Sequence, residues 1–262
     1  MIADARATER DSLPLLSVRN LFLDYAKRHA FATESVATHA LRGVSFELRA
    51  GETLALVGPS GSGKSSLARC LVRLETPSSG QMFFEGKDLC TMDALALSAA
   101  RKKIHLIFQD AASALNPRFT VEEIVGEPLV IHEPRMGHAE RKRFVADALN
   151  RVELAQGWHS RRPRELSGGQ RQRVAIARAL VLQPKLLILD EALSSLDLSA
   201  QSQIANLLFE LQERQGLAYL YITHDLRMAK AVAGEIAVLE AGRLVPQALP
   251  TELIASNLQT VY

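Results

Sequence analysis

Residues 53–66 read TLALVGPSGSGKSS, and the fold turns on this stretch. TLALVG is a continuous apolar run, the pattern of a strand buried on both faces, as in a parallel sheet. Gly58, Pro59, Ser60, Gly61, Ser62, Gly63, Lys64 and Ser65 then satisfy the pattern GxxxxGK[ST], and a helix is expected from Lys64. Strand, glycine-rich loop and helix are the context that a phosphate-binding loop requires. The glycines let successive backbone N–H groups point at phosphate oxygens, and the helix N-terminus adds a favourable dipole. Lys64 is placed to neutralise the β- and γ-phosphates, and Ser65 to set its hydroxyl on Mg²⁺, with Ser66 completing the nucleotide-binding set.

Working outward, KLLILDE (residues 185–191) and LAYLYITHD (217–225) read as two further core strands. Upstream, Leu16 to Tyr25 and Leu41 to Leu48 alternate as half-buried strands do, with Val44, Phe46 and Leu48 on one face. AKRHAFATESVATH between them (26–39) reads as a polar loop. From Thr120 to about Arg164 the pattern is helical, clearest in AERKRFVADALNRVEL (139–154), with breaks at Pro128, Pro134, Gly137 and Pro163. A further helix, QRQRVAIARALVL (170–182), turns Val174, Ala177, Ala179 and Leu180 inward and leaves Arg171, Arg173 and Arg178 solvated until Pro184 stops it. Strands alternating with helices predict an α/β sheet whose sites lie at the carboxyl ends of the strands.

That rule singles out Asp190 and Glu191. A carboxylate ending a buried strand is the usual way to hold Mg²⁺ beside a phosphate loop, which makes Asp190 the metal partner. Glu191 stands where the chain leaves the strand, placed to accept a proton from an attacking water as general base.

The 262 residues are 47% hydrophobic, enough for one large domain or two packed subdomains. The expected division is a leader at 1–14, one domain at 15–247 with a helical subdomain at about 110–165, and a short tail at 248–262. Lysine and arginine exceed aspartate and glutamate by two, and no basic block announces a nucleic-acid partner. No stretch approaches the roughly 18 to 20 apolar residues that span a bilayer, and the leader lacks a signal-peptide core, so a cytosolic chain is expected. Cys70 and Cys90 have no metal-ligand spacing and read as ordinary thiols.

Leu166-Ser167-Gly168-Gly169-Gln170, immediately before the arginine-rich helix, resembles the signature sequence of ABC transporter cassettes. Together with the phosphate loop, Gln109, Asp190-Glu191, Ser195-Leu196-Asp197 and His224, the resemblance runs from about Leu16 to Val245. It implies a P-loop NTPase cassette with a RecA-like core sheet, an antiparallel β subdomain and a helical subdomain. It further implies that Gln109 is the lid residue contacting Mg²⁺ and water, and that His224 is the switch histidine on the γ-phosphate. Tyr25 is then the aromatic that stacks on adenine, although a core role fits the same residue. The remaining histidines carry no such context and read as surface or packing residues. Ser167, Gly168, Gly169 and Gln170 open a helix, an anion-binding geometry far along the chain from the phosphate loop. In the family they close on the nucleotide of an opposing cassette, with Asp197 in the seam. The implied partners are a second cassette of a different chain, in a head-to-tail dimer, two transmembrane permeases and a periplasmic or extracellular solute-binding protein. The implied place is the cytoplasmic face of the plasma membrane.

FQDAASALNPRFTVEEIVGEPL (108–129) is similar to the importer branch for dipeptides, oligopeptides and nickel, through Asn116-Pro117-Arg118 and Glu127-Pro128-Leu129. Three departures lean toward nickel or a nickel-chelate, most like the second nickel-import cassette of that branch. They are Ala192 where proline usually follows the glutamate, Ala111 where proline usually follows the aspartate, and a tail lacking His-Pro-Tyr-Thr. Dipeptide or oligopeptide import is the alternative.

Overall fold

The computed structural model describes residues 13–27, 36–110, 114–154, 156–194 and 196–245. Nearly all of the leader, the tail, Ala111 and Ser195 lie outside these residues.

The chain forms two sheets. Strands β1 (Leu16–Lys27), β2 (Val36–Leu48), β4 (Ser79–Phe84) and β5 (Lys87–Asp88) make an antiparallel sheet in the order β2-β1-β4-β5. The second sheet comprises β3 (Thr53–Val57), β6 (Ile104–Ile107), β7 (Leu186–Asp190), β8 (Ala218–Thr223), β9 (Glu235–Glu240) and β10 (Arg243–Val245), in the order β10-β9-β3-β8-β7-β6. All its neighbours run parallel except β10 against β9. Every residue of β3, β7 and β8 is buried, which is why these three read as unbroken apolar runs.

Helices cover both faces, and the alternation of side chains along each strand sorts the core into two clusters. Leu54, Leu56, Ile188, Leu220 and Ile222 face α1 (Lys64–Leu71) and the antiparallel sheet. Ala55, Val57, Leu187, Leu189, Tyr219 and Tyr221 face the other way, toward α3 (Val121–His132), α4 (His138–Arg151), α5 (Gly168–Leu180) and α6 (Leu198–Gln215). Two shorter helices, α2 (Ala94–Arg101) and α7 (Leu226–Val232), complete the set. The mixed sheets and flanking helices are the cassette fold expected from the resemblance.

Three local expectations change. The β1–β2 hairpin extends into the stretch read as a polar loop, with Tyr25 opposite Thr38 and Ala26 opposite Ala37. Thr38 and His39 are exposed there, and an outer strand can pair through its backbone while turning polar side chains to water. Pro128 does not break its helix: α3 runs through it, with Pro128 and Gly126 both buried. A Cβ on Gly126 would stand 3.3 Å from Val145 of α4, so packing between the helices holds the segment helical against the roughly 3 kcal/mol that an interior proline costs. Arg173 is only 13% exposed, pairs with Glu153 at 2.6 Å and donates to the Val152 carbonyl. It ties α5 to the end of α4 instead of standing in solvent.

Cys70 is buried and Cys90 half-buried, both as free thiols. Among the described residues no helix is long and apolar enough to cross a membrane.

Candidate active site

The phosphate loop spans the gap between β3 and α1, and its glycines are dictated by close approach. A Cβ on Gly58 would lie 2.1 Å from the Leu239 carbonyl oxygen and one on Gly63 2.4 Å from that of Ala40. Gly61, by contrast, has φ +78° and nothing within 4 Å of a built Cβ, so the middle of the loop is open. Lys64 folds back over the loop, its Nζ donating to the carbonyls of Gly58 at 2.7 Å and Pro59 at 2.9 Å. Burial lowers the Lys64 pKa, while the charges of Glu191 and Asp190 oppose the shift. The Ser62 hydroxyl is buried without a hydrogen-bond partner.

Asp190 ends β7 5% exposed. Burial raises its carboxyl above the usual carboxylate range, and the bond donated by the Ser65 hydroxyl pulls it back down. Its Oδ1 is buried with no partner. A carboxylate with one oxygen unmet, bonded to a hydroxyl beside a phosphate loop, is a donor set that suits a hard divalent cation completed by phosphate and water.

Glu191 follows in a left-handed conformation, φ 48°. Its backbone is pinned on both sides, N–H to the Ile222 carbonyl at 2.9 Å and carbonyl to the Ser194 hydroxyl at 2.8 Å. This aims its carboxylate past the strand end, where Oε2 lies 3.4 Å from His224 Nδ1. His224 follows β8 as Glu191 follows β7, so two neighbouring parallel strands deliver both side chains to one edge of the sheet. Gln109 is exposed just beyond β6, the next strand along. Tyr25 is half-buried, and its hydroxyl donates to Ser66 of α1 at 3.3 Å.

The signature residues form a separate place. Ser167 caps α5 through a reciprocal pair: its hydroxyl accepts from Gln170 N–H at 3.3 Å, and its own N–H donates to Gln170 Oε1 at 2.9 Å. Asp197 caps α6, accepting from Ala200 N–H at 2.9 Å. Both helix ends, with Gly168 and Gly169, line a cavity of about 420 Å³ to which no phosphate-loop residue contributes. The residues expected at one nucleotide thus fall into two groups within the chain. The walls against the phosphate loop, carbonyls of Leu239 and Ala40, were not singled out in the sequence, because a backbone oxygen leaves no mark on residue type.

A phosphate loop, a buried acidic strand end and a second anion-suited helix terminus define a nucleotide-binding α/β cassette. Residues 41–194 match the ABC transporter family. The dipeptide transport ATP-binding protein DppF of Haemophilus influenzae is 38% identical over 97% of this chain and 77% of its own length. The putative oligopeptide transport ATP-binding protein YkfD of Bacillus subtilis is 43% identical over 89% and 69%. The glutathione import ATP-binding protein GsiA of Salmonella choleraesuis is 44% identical over 95% of this chain, which spans 40% of that longer protein. Among solved structures, the dimeric post-hydrolysis cassette MJ0796 bound to ADP and Pi superposes with a TM-score of 0.77 at 30% identity, covering 89% of this chain and 97% of that one. The chain belongs to the ABC transporter family and is an ATP-binding, transport-coupled ATPase. The lean toward nickel drawn from Ala192, Ala111 and the tail finds no support in these relatives, whose names fit the peptide alternative better.

Proposed function

We propose that this chain is the ATPase subunit of an ABC importer for small peptides, in the class of dipeptides, oligopeptides or glutathione. The observation that carries the catalytic part is the gathering of Lys64, Ser65, Asp190, Glu191 and His224 at the carboxyl edge of one parallel sheet. The cargo class is supported by the names of DppF, YkfD and GsiA, and the Asn116-Pro117-Arg118 segment agrees with it.

In this reading the loop from Gly58 to Ser66 cradles the phosphates of ATP, Lys64 offsets their charge, and Tyr25 stacks on adenine. Ser65, Asp190 and Gln109 hold Mg²⁺, which when bound neutralises charge on the β- and γ-phosphates. Glu191 takes the proton of the attacking water, and His224, beside it, donates to the γ-phosphate. Ser167, Gly168, Gly169 and Gln170 close on the nucleotide of a second cassette, and Asp197 lies along the seam. The separate signature cavity supports this, since one chain alone brings its phosphate loop and its signature to different places. Closure and release of the pair drive two membrane permeases at the cytoplasmic face, with a solute-binding protein delivering cargo.

Glu191→Gln should trap ATP in a stable pair of cassettes with hydrolysis reduced roughly 100-fold or more; near-normal turnover would remove Glu191 from the role. Deleting the chain and comparing uptake of labelled dipeptide, glutathione and nickel tests the cargo. Loss of nickel uptake alone would overturn the peptide reading.

A further inference from the structure

The β9–β10 hairpin closes through a two-residue loop, Ala241-Gly242, between the paired Glu240 and Arg243. Both loop residues have positive φ, 45° and 81°, as a type I′ turn requires. The turn also reaches the phosphate loop. Gly242 N–H donates to the Ser62 carbonyl at 3.0 Å, and the Gly242 carbonyl accepts from Arg42 N–H of β2 at 2.7 Å. A Cβ on Gly242 would lie 2.8 Å from the Ala40 carbonyl oxygen, the same atom that crowds Gly63. Leu239, three residues before Gly242, walls Gly58 at the other end of the loop. The loop is therefore wedged at both ends by β2 and β9, and bonded between them by this turn.

We propose that Gly242 is a positioning residue for nucleotide binding, acting through the Ser62–Gly63 peptide. In a trans peptide the C=O and the following N–H point in opposite directions. Holding the Ser62 carbonyl on Gly242 N–H therefore fixes Gly63 N–H on the opposite side of the loop, as one of the donors offered to phosphate at the start of α1. A side chain at 242 must displace either the turn or Ala40. Either movement loosens that peptide and spreads the orientation of a donor that phosphate binding needs fixed. The inference rests on the loop being the ATP-phosphate site.

The chain supplies a matched control. Glu85-Gly86 joins β4 to β5 between the paired Phe84 and Lys87 with φ of 49° and 75°, the same turn class, and a Cβ on Gly86 meets nothing within 4 Å. Both Gly242→Ala and Gly86→Ala carry the strain of a left-handed alanine, so both should lower the melting temperature. Only Gly242→Ala should raise the dissociation constant of a fluorescent ATP analogue, by about five-fold or more, with Gly86→Ala staying within about two-fold. Wild-type affinity in Gly242→Ala, or equal losses in the two variants, would overturn the proposal. Lys64→Ala serves as the reference: if it binds as wild type does, the phosphate-loop reading fails and this inference with it. Should Gly242→Ala not fold, hydrogen exchange on the unmodified chain decides. Saturating ATP should slow the Gly242 amide about five-fold or more while the 85–86 turn changes less than about two-fold, and an unchanged Gly242 amide would overturn the proposal.

Discussion

Asp190→Asn should make the nucleotide-free chain more stable while abolishing hydrolysis. Asp190 is 5% exposed and its Oδ1 has no partner; burial holds its carboxyl above the usual range. A group whose folded pKa is raised contributes its stability below the unfolded value, near pH 4, and loses it as pH rises through the folded value. At neutral pH the native chain therefore carries the cost of an ionised, half-satisfied carboxylate. Asparagine keeps the shape and can still accept from Ser65, but it has no charge to desolvate. The favourable charges near Asp190 are those of Arg69 and, more weakly, Lys64, and both act less strongly than burial and the repulsion from Glu191, so losing that attraction offsets only part of the gain. The asparagine amide takes the same unmet place, so only the share of the penalty due to charge is relieved, about 1 kcal/mol, or roughly 2–4 °C in melting temperature for a domain of this size. Differential scanning calorimetry at pH 7 without nucleotide should show that rise, shrinking as the buffer nears pH 4. With Mg²⁺ and ATP at a hundred times the dissociation constant the native chain should gain about 2.7 kcal/mol, the variant far less, and the order of melting temperatures should reverse. A variant that melts below the native chain without nucleotide would refute the reasoning, because Asp190 would then be a structural carboxylate.

Mixing a Ser167-defective chain with a Lys64-defective chain should restore one composite site and a nucleotide-bound pair detectable by size-exclusion chromatography, whereas failure to recover any such pair would count against closure in trans. His105 is held neutral by burial, its pKa pushed down to about 4. Between its unfolded value near 6.5 and that lower value the unfolded chain binds more protons, so stability falls with acidity across this window by about 3 kcal/mol. Urea midpoints at pH 7 and pH 4.5 should therefore separate more in the native chain than in His105→Leu, and equal separations would show that His105 does not titrate as placed.

Much of this was legible because the decisive elements are also the most buried. β3, β7 and β8 are enclosed on both faces, so their apolar runs identify them, and the phosphate motif and the Asp190-Glu191 pair sit at their ends. The hairpin beyond Tyr25 was not legible, since its pairing runs through backbone groups while Thr38 and His39 face water. Pro128 was misleading because local propensity gave way to the packing of α3 on α4. Arg173 was misread because its side chain is satisfied by the Val152 carbonyl, an acceptor that any residue would offer. The Gly242 contact with Ser62 is hidden for the same reason, as it joins two backbones remote in sequence. The lean toward nickel rested on resemblance alone: Ala192, 3% exposed in the loop after Glu191, packs into the core.

Several features of the site work against the fold. Asp190 Oδ1 and the Ser62 hydroxyl are buried and unmet, Lys64 is desolvated, and Glu191 is held in a left-handed conformation. The unmet groups and the left-handed backbone each cost about 1 kcal/mol or more, and all four features lie within the edge formed by β3, β7 and β8. A chain selected for stability alone would replace them. In the proposed function a polyanion with a cation meets the first three at once, while the fourth aims the carboxylate that must stay free of metal. Binding energy is then largest for the ligand that satisfies all of them, and cleaving the terminal phosphate removes part of that satisfaction. Hydrolysis thereby weakens the hold on the nucleotide at the edge where a second cassette would close.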